Sequence, residues 1–162
     1  MTGQSLKKVD HNALRTNQSF IISLSIAAYV LDLLWLAALI GLAMLIGTLR
    51  SVPAFGFIYK RVLKPRGWIK PDVIADNPEP HRFAQGFGSV VMIAGGVALY
   101  AGASGLGWAL VWLVIALAAL NLFGGFCVGC AVYYWLNRLH APGFTQPPPE
   151  GTFPGMRPKA KA

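Results

Sequence analysis

The chain has 162 residues, of which 55% are hydrophobic and only 12% charged, and it carries a net charge of +8. A soluble domain has about 25% charged residues, so a chain this apolar cannot cover its surface in water. Its length bounds it to one domain, with the lipid bilayer as the expected solvent. The charge does not have a nucleic-acid pattern. Lys and Arg flank apolar runs, as membrane anchors do, and do not gather with stacking aromatics on one folded face. Anionic lipid headgroups are the expected partner of that charge, and no nucleic acid is expected.

Residues 1–13 form a polar, basic N-terminal segment. It is expected to remain on the mature chain, although residues 20–31 have the composition of a signal-peptide core. The first apolar run covers residues 20–49. As one helix it would be roughly 45 Å long, whereas a bilayer core of about 30 Å needs roughly 20 residues. Asp32 falls near its middle and divides it into helices over 14–31 and 33–49, with Asp32 in a solvent-exposed turn. Residues 50–82 form a loop in which Pro53, Pro65, Pro71, Pro78 and Pro80 forbid a long helix. Within it, 55–63 reads as a short interfacial helix, with Phe55, Ile58 and Val62 apolar and Lys60 and Arg61 reaching water.

A third helix is expected over 83–103 and a fourth over 108–137, separated by the glycine-rich turn at 102–107. The fourth is too long for one untilted crossing. Only Gly124-Gly125 interrupts it, so a kink there, a tilt or a protruding end is expected. The membrane domain thus spans 14–139. The tail over 140–162 holds six prolines, is basic, and is expected to be largely disordered.

Charge sets the topology. All 14 basic residues fall at the N-terminal end of helix one, in the central loop, or after helix four. Four crossings arranged as two hairpins put those three regions on one side and leave both remaining turns without positive charge. The fold class is therefore all-α integral membrane, with four transmembrane helices and cytoplasmic N- and C-termini. Arg15-x-x-Gln18 and Arg82-x-x-Gln85 open helices one and three as a short repeat, placing both pairs at the same face.

The main candidate site is the Cys-x-x-Cys pair Cys127 and Cys130, inside an apolar segment. Residues three apart share a helix face, with Cα atoms about 5 Å apart, inside the disulfide range. If Gly124-Gly125 breaks the helix, the pair lies in the first turn of a new segment, whose free N–H groups stabilise a thiolate. The competing reading is packing: Gly125-x-x-x-Gly129 is a small-xxx-small pattern, and cysteine behaves as a small hydrophobe. A metal site would need further ligands and is not expected. His140 lies about 15 Å beyond Cys130 along a continuous helix and joins only if the chain turns back, His81 can approach from the start of helix three, and neither spacing matches a standard ligand set. His81 and Arg82 open helix three on the same side and can support a thiolate, or simply anchor the helix at the headgroups. Asn121 reads as an interhelical hydrogen-bonding group. No phosphate loop, Ser-His-Asp set or carboxylate dyad is visible, and no cofactor is implied.

Asn12-Ala13-Leu14-Arg15-x-Asn17-Gln18, Pro80-His81-Arg82-Phe83-Ala84-Gln85 and Gly125-Phe126-Cys127-Val128-Gly129-Cys130 occur in that order. The pattern resembles the bacterial membrane family called domain of unknown function 4395, over residues 9–139. The resemblance implies a multi-pass protein of the bacterial plasma membrane and marks Arg15, His81, Arg82, Phe83, Cys127 and Cys130 as motif positions. It implies no activity.

Two functional readings follow. In the first, Cys127 and Cys130 pass electrons or sulfur to a redox partner protein, with His81 or Arg82 stabilising the thiolate. In the second, the chain is a non-catalytic accessory subunit of a larger membrane complex, its small-residue faces and basic tail docking onto neighbours. A transporter ranks third, because so few polar residues lie within the apolar runs.

Overall fold

In the computed structural model, residues 7–158 are described. Their chain order begins with strand β1 (Lys7–Asp10), helix α1 (His11–Val30) and helix α2 (Leu34–Leu49). A short helix α3 (Gly56–Ile58) runs into a π-helical turn (Tyr59–Leu63), followed by strand β2 (Val73–Asp76). Helices α4 (Pro78–Tyr100), α5 (Ser104–Gly124) and α6 (Val128–Arg138) complete it.

Local chemistry sets the boundaries. Asp10 caps α1 by accepting a hydrogen bond from the Asn12 N–H at 3.1 Å, and its other oxygen accepts from the Tyr59 hydroxyl at 2.8 Å. Chain reversal between α1 and α2 falls at Asp32, which is exposed and takes φ +50°, a conformation Asp tolerates better than most residues. Pro78 sits in the first turn of α4, where its missing N–H costs nothing.

Helix α1 packs on α2 and α5, and α4 packs on α2 and α5, so these four helices close a ring. Its core contains Ile21, Ala37, Ile40, Met44, Met92, Leu99, Val111, Val114 and Ile115. Two of the helices, α4 and α5, are long and apolar enough to cross a membrane. Only 28% and 22% of their apolar windows are buried inside the protein. A water-soluble core helix would hide most of its apolar face, whereas here residues such as Leu49, Val97 and Phe123 point outward. This exposed apolar surface on α4 and α5 suits contact with lipid.

At one end of the ring lies a polar cap. Strands β1 and β2 pair antiparallel there, Lys7 opposite Asp76 and Asp10 opposite Val73. This two-stranded sheet was not expected from the sequence. The His11 N–H donates to the Asp72 carbonyl at 2.8 Å, fixing the start of α1 to the segment entering β2.

Two further differences concern the C-terminal third. The long fourth helix is in fact two: α5 stops at Gly124, Gly125 takes φ +64°, and α6 starts afresh at Val128. A left-handed residue of this kind ends a helix, and glycine adopts it without strain. The tail over 141–158 is also placed against the cap, where its composition suggested disorder. Its segment at 155–157 runs antiparallel to the break: the Cys127 N–H donates to the Gly155 carbonyl at 2.8 Å and the Arg157 N–H to the Gly125 carbonyl at 3.1 Å. Asn77 Nδ2 holds the Pro147 carbonyl at 2.9 Å, Phe144 packs edge-on to Phe83 and Tyr133, and Arg157 pairs with Asp72. Prolines prevent helix in this tail but not docking of its carbonyls.

The division of α4 into a buried and an exposed face has a direct check. Met92 is fully buried and Val97 is 64% exposed on the same helix. Met92→Ala should destabilise the protein in detergent by about 2 kcal/mol, chiefly through the cavity left behind, and Val97→Ala should be close to neutral. Thermal unfolding of both variants reads this out.

Candidate functional site

Cys127 and Cys130 form a disulfide with Cα atoms 5.2 Å apart. The break at Gly125 puts Cys127 at the N-cap of α6, with extended backbone, and Cys130 in the first turn. The Cys127 sulfur accepts the Cys130 N–H at 3.2 Å. A helix N-terminus offers unpaired N–H groups and a positive dipole end, so a thiolate released at Cys127 is favoured there. Both cysteines are buried. Helix α6 is held close to α4: a Cβ on Gly129 would lie 2.5 Å from that of Ala84, so only glycine permits this approach.

That contact brings α4 residue His81 to the sulfurs. Its Nδ1 lies 3.5 Å from Cys130 Sγ, and its Nε2 lies 2.9 Å from Asp76 Oδ2. Asp76 is at the end of β2 and nearly fully buried; its Oδ1 accepts the Asn77 N–H at 2.7 Å. His11, the first residue of α1, is also buried and places Nε2 3.1 Å from the same Oδ2. Burial pushes the Asp76 carboxyl up, but the two imidazoles and the Asn77 N–H together outweigh it and hold the carboxyl well below the usual carboxylate range. An ionised Asp76 can only accept, so the hydrogen shared with it is on His81 Nε2. The Nδ1 lone pair is thereby turned toward Cys130. A proton acceptor oriented by a carboxylate stands next to a sulfur, an arrangement that activates thiols.

Two cavities meet at this cluster. The first, about 220 Å³, is partly polar and opens past Arg15, Gln18 and Arg157 onto Asp76, His81 and both cysteines. The second, about 110 Å³, is mostly apolar and runs into the helix ring between Ile21, Met44, Val91 and Val114. Cys127 and His81 line both; Cys130 lines only the first. The side chains of Gln18 and Asn121 border both cavities and have no hydrogen-bond partner among the described residues. Asn121 therefore does not make the interhelical bond expected of it.

Of the residues singled out from sequence, Cys127, Cys130 and His81 come together. Arg82 does not join them: its Nε donates to the Thr48 carbonyl at 2.8 Å and it lines a separate cleft with Glu79. His140 ends the turn after α6 with φ +55° and is not part of the cluster. The two Arg/Gln pairs do lie at the same end of the ring, where Asn17 Nδ2 reaches Gln85 Oε1 at 3.4 Å. His11 and Asp76 were missed. Their only sequence signal is position, His11 directly after a capping aspartate and Asp76 five residues before His81.

The depressed Asp76 gives a stability signature. Its pKa is near 3.9 when unfolded and lower when folded, so the unfolded chain binds the extra proton as acid is added. Its stabilising contribution should be complete above about pH 5 and fade as pH falls below about 4. Unfolding midpoints measured from pH 7 to pH 3 should show this decline, and Asp76→Asn should flatten it while lowering stability at neutral pH.

No curated protein and no solved structure matches this chain. The sequence profile described as "Domain of unknown function (DUF4395)" matches residues 9–138. That span covers His11, Asp76, His81, Cys127 and Cys130 but not the tail segment that closes over them, and the chain belongs to this family.

Proposed function

We propose that this protein is a membrane thiol–disulfide oxidoreductase whose working group is the Cys127–Cys130 pair. The observation that carries this reading is the line of three groups at one α-helix start: a disulfide, His81 Nδ1 at 3.5 Å from it, and Asp76 at 2.9 Å behind His81. Small-residue packing alone has no use for a carboxylate-oriented imidazole aimed at sulfur.

In the proposed cycle, a thiolate from a dithiol partner protein attacks Cys127 Sγ, which lines both cavities. The Cys127–Cys130 bond breaks and a mixed disulfide forms. His81 Nδ1 takes the proton of the attacking thiol and returns it to Cys130, which leaves as thiolate. The partner's second thiol then attacks the mixed disulfide and releases Cys127, as a thiolate, into the α6 N-terminus. The partner ends as a disulfide and the pair as a dithiol, two electrons having moved; the reverse sequence oxidises the pair. His81 moves the proton and Asp76 positions His81.

The same reading sets the chain in the bacterial plasma membrane as a multi-pass protein. Helices α1, α2, α4 and α5 cross, and the cap carrying the site faces the cytoplasm with both termini. The clustering of basic residues in the segments that build the cap supports that orientation. The partner approaches from the aqueous side, past Arg15 and Arg157.

In native membranes, reduced protein should be labelled at Cys127 by a maleimide near neutral pH, and mild oxidation should protect it reversibly. With Cys130→Ser, the mixed disulfide should be trapped on Cys127. His81→Ala should slow exchange by ten-fold or more, the range of a lost general acid–base group. Thiols that stay unreactive until denaturation would instead make the pair packing in an accessory subunit.

A further inference from the structure

The dithiol form of this site has a second chemistry. Reduction by a dithiol breaks the S–S bond, consumes two electrons and two protons, and leaves two thiols where one disulfide stood. The sulfurs of Cys127 and Cys130 and a ring nitrogen of His81 already lie within 4.8 Å of one another. We propose that reduced Cys127 and Cys130, with His81 Nδ1, form a binding site for a soft closed-shell metal cation of the zinc(II) or copper(I) type. The proposal rests on the thiol cycle above, because the oxidised pair has no thiolate to offer.

Four observations carry it. The first is ligand geometry. Zn–S of about 2.3 Å and Zn–N of about 2.0–2.1 Å put sulfur and nitrogen about 3.6 Å apart around a tetrahedral ion. Cys130 Sγ and His81 Nδ1 are 3.5 Å apart, and Cys127 and Cys130 lie at the N-cap and in the first turn of α6, with Cα atoms 5.2 Å apart, so breaking the S–S bond lets the sulfurs part around an ion. The second is the tautomer. Asp76 keeps the hydrogen on His81 Nε2, so Nδ1 presents a lone pair, as a ligating histidine must. The third is the supporting shell. A ligating histidine almost always gives its other N–H to a carboxylate or carbonyl, and Asp76, itself held by the Asn77 N–H, stands in that position. The fourth is access. The three ligands border the larger cavity, which leaves an open position for water or a substrate, as reactive zinc sites have and sealed structural ones do not.

Sulfur and imidazole together select Zn(II) or Cu(I) over Mg(II) or Ca(II), which need oxygen ligands. Binding replaces the two thiol protons by one cation and releases them to solvent. Ligation occupies both sulfurs, so the cation protects the pair from oxidation, and a disulfide partner oxidising enough to form the Cys127–Cys130 bond expels it. Of the two histidines the sequence offers as further ligands, His140 stays outside the cluster and His81 of α4 is the one that reaches the sulfurs.

The test uses full-length protein in detergent, purified without a histidine tag. Reduced and oxidised samples are dialysed against micromolar Zn²⁺, metal is counted per chain, and free thiols are titrated in parallel. Reduced protein should hold one Zn²⁺ per chain and oxidised protein none. Cys127→Ser and Cys130→Ser should each abolish it. His81→Ala should weaken binding at least ten-fold, and Asp76→Asn by ten- to a hundred-fold, the usual cost of losing an outer-shell partner. If the thiols cycle freely but reduced protein takes up no zinc, or if His81→Ala binds as tightly as wild type, the metal site is refuted and the redox reading stands. If the thiols are inaccessible in folded protein, both fall.

Discussion

A single buried carboxylate organises the working end of this molecule. Asp76 is almost fully enclosed, and an unpaired charge in such a place is strongly destabilising. It is tolerated because its neighbours compensate it: the Asn77 N–H donates to one oxygen and His81 Nε2 to the other, and the His11 imidazole stands 3.1 Å from that second oxygen. Those neighbours come from three elements. Asn77 continues β2, His11 begins α1, and His81 sits in the first turns of α4. The carboxylate therefore does structural work, tying the strand pair to two helices of the ring, and chemical work, fixing the tautomer of the one imidazole that faces sulfur. Loss of either imidazole would leave the charge undercompensated, so the cap is a cooperative unit.

The second constraint is the break at Gly125. A continuous helix would have carried Cys127 and Cys130 onward along the α5 axis, with their backbone N–H groups consumed by the preceding turn. The left-handed glycine frees those groups at the sulfurs and redirects α6 across α4, and Gly129 then allows the approach that delivers His81. The tail completes the arrangement. The Gly155 carbonyl accepts the Cys127 N–H and the Gly125 carbonyl accepts the Arg157 N–H, so the tail pairs two of the backbone groups that the break exposes.

What the sequence disclosed follows physical range. Hydropathy and helix length are local, so the apolar helices, the turn at Asp32 and the short helix before Lys64 could be read directly. The Cys-x-x-Cys pair and the consequence of a break at Gly124-Gly125 were also local. The strand pair, Asp76, His11 and the docked tail were not, because each depends on contacts between residues more than fifty positions apart. Proline-rich composition describes what a tail cannot form by itself, not which carbonyls a neighbouring domain will accept. Arg82 shows the reverse error: nearness in sequence to His81 suggested a shared task, but successive helical residues point about 100° apart, and Arg82 turns to the end of α2.

The geometry also decides which residue separates fold from chemistry. Asp76 is a poor probe, because its replacement perturbs the cap and the imidazole together. Cys127 and Cys130 are direct but blunt, since redox, metal and packing roles all need them. His81 is different. Its side chain is 20% exposed, facing a cavity, and its structural bond is only one of those that hold Asp76. Its Nδ1 edge has no structural duty beyond the sulfur it faces. A change that keeps ring shape and removes the Nδ1 lone pair leaves the Asp76 contact less disturbed than any change at Asp76 itself. Both proposed activities, proton transfer to a thiol and ligation of a cation, converge on that one nitrogen, and the redox state of the neighbouring cysteines selects between them.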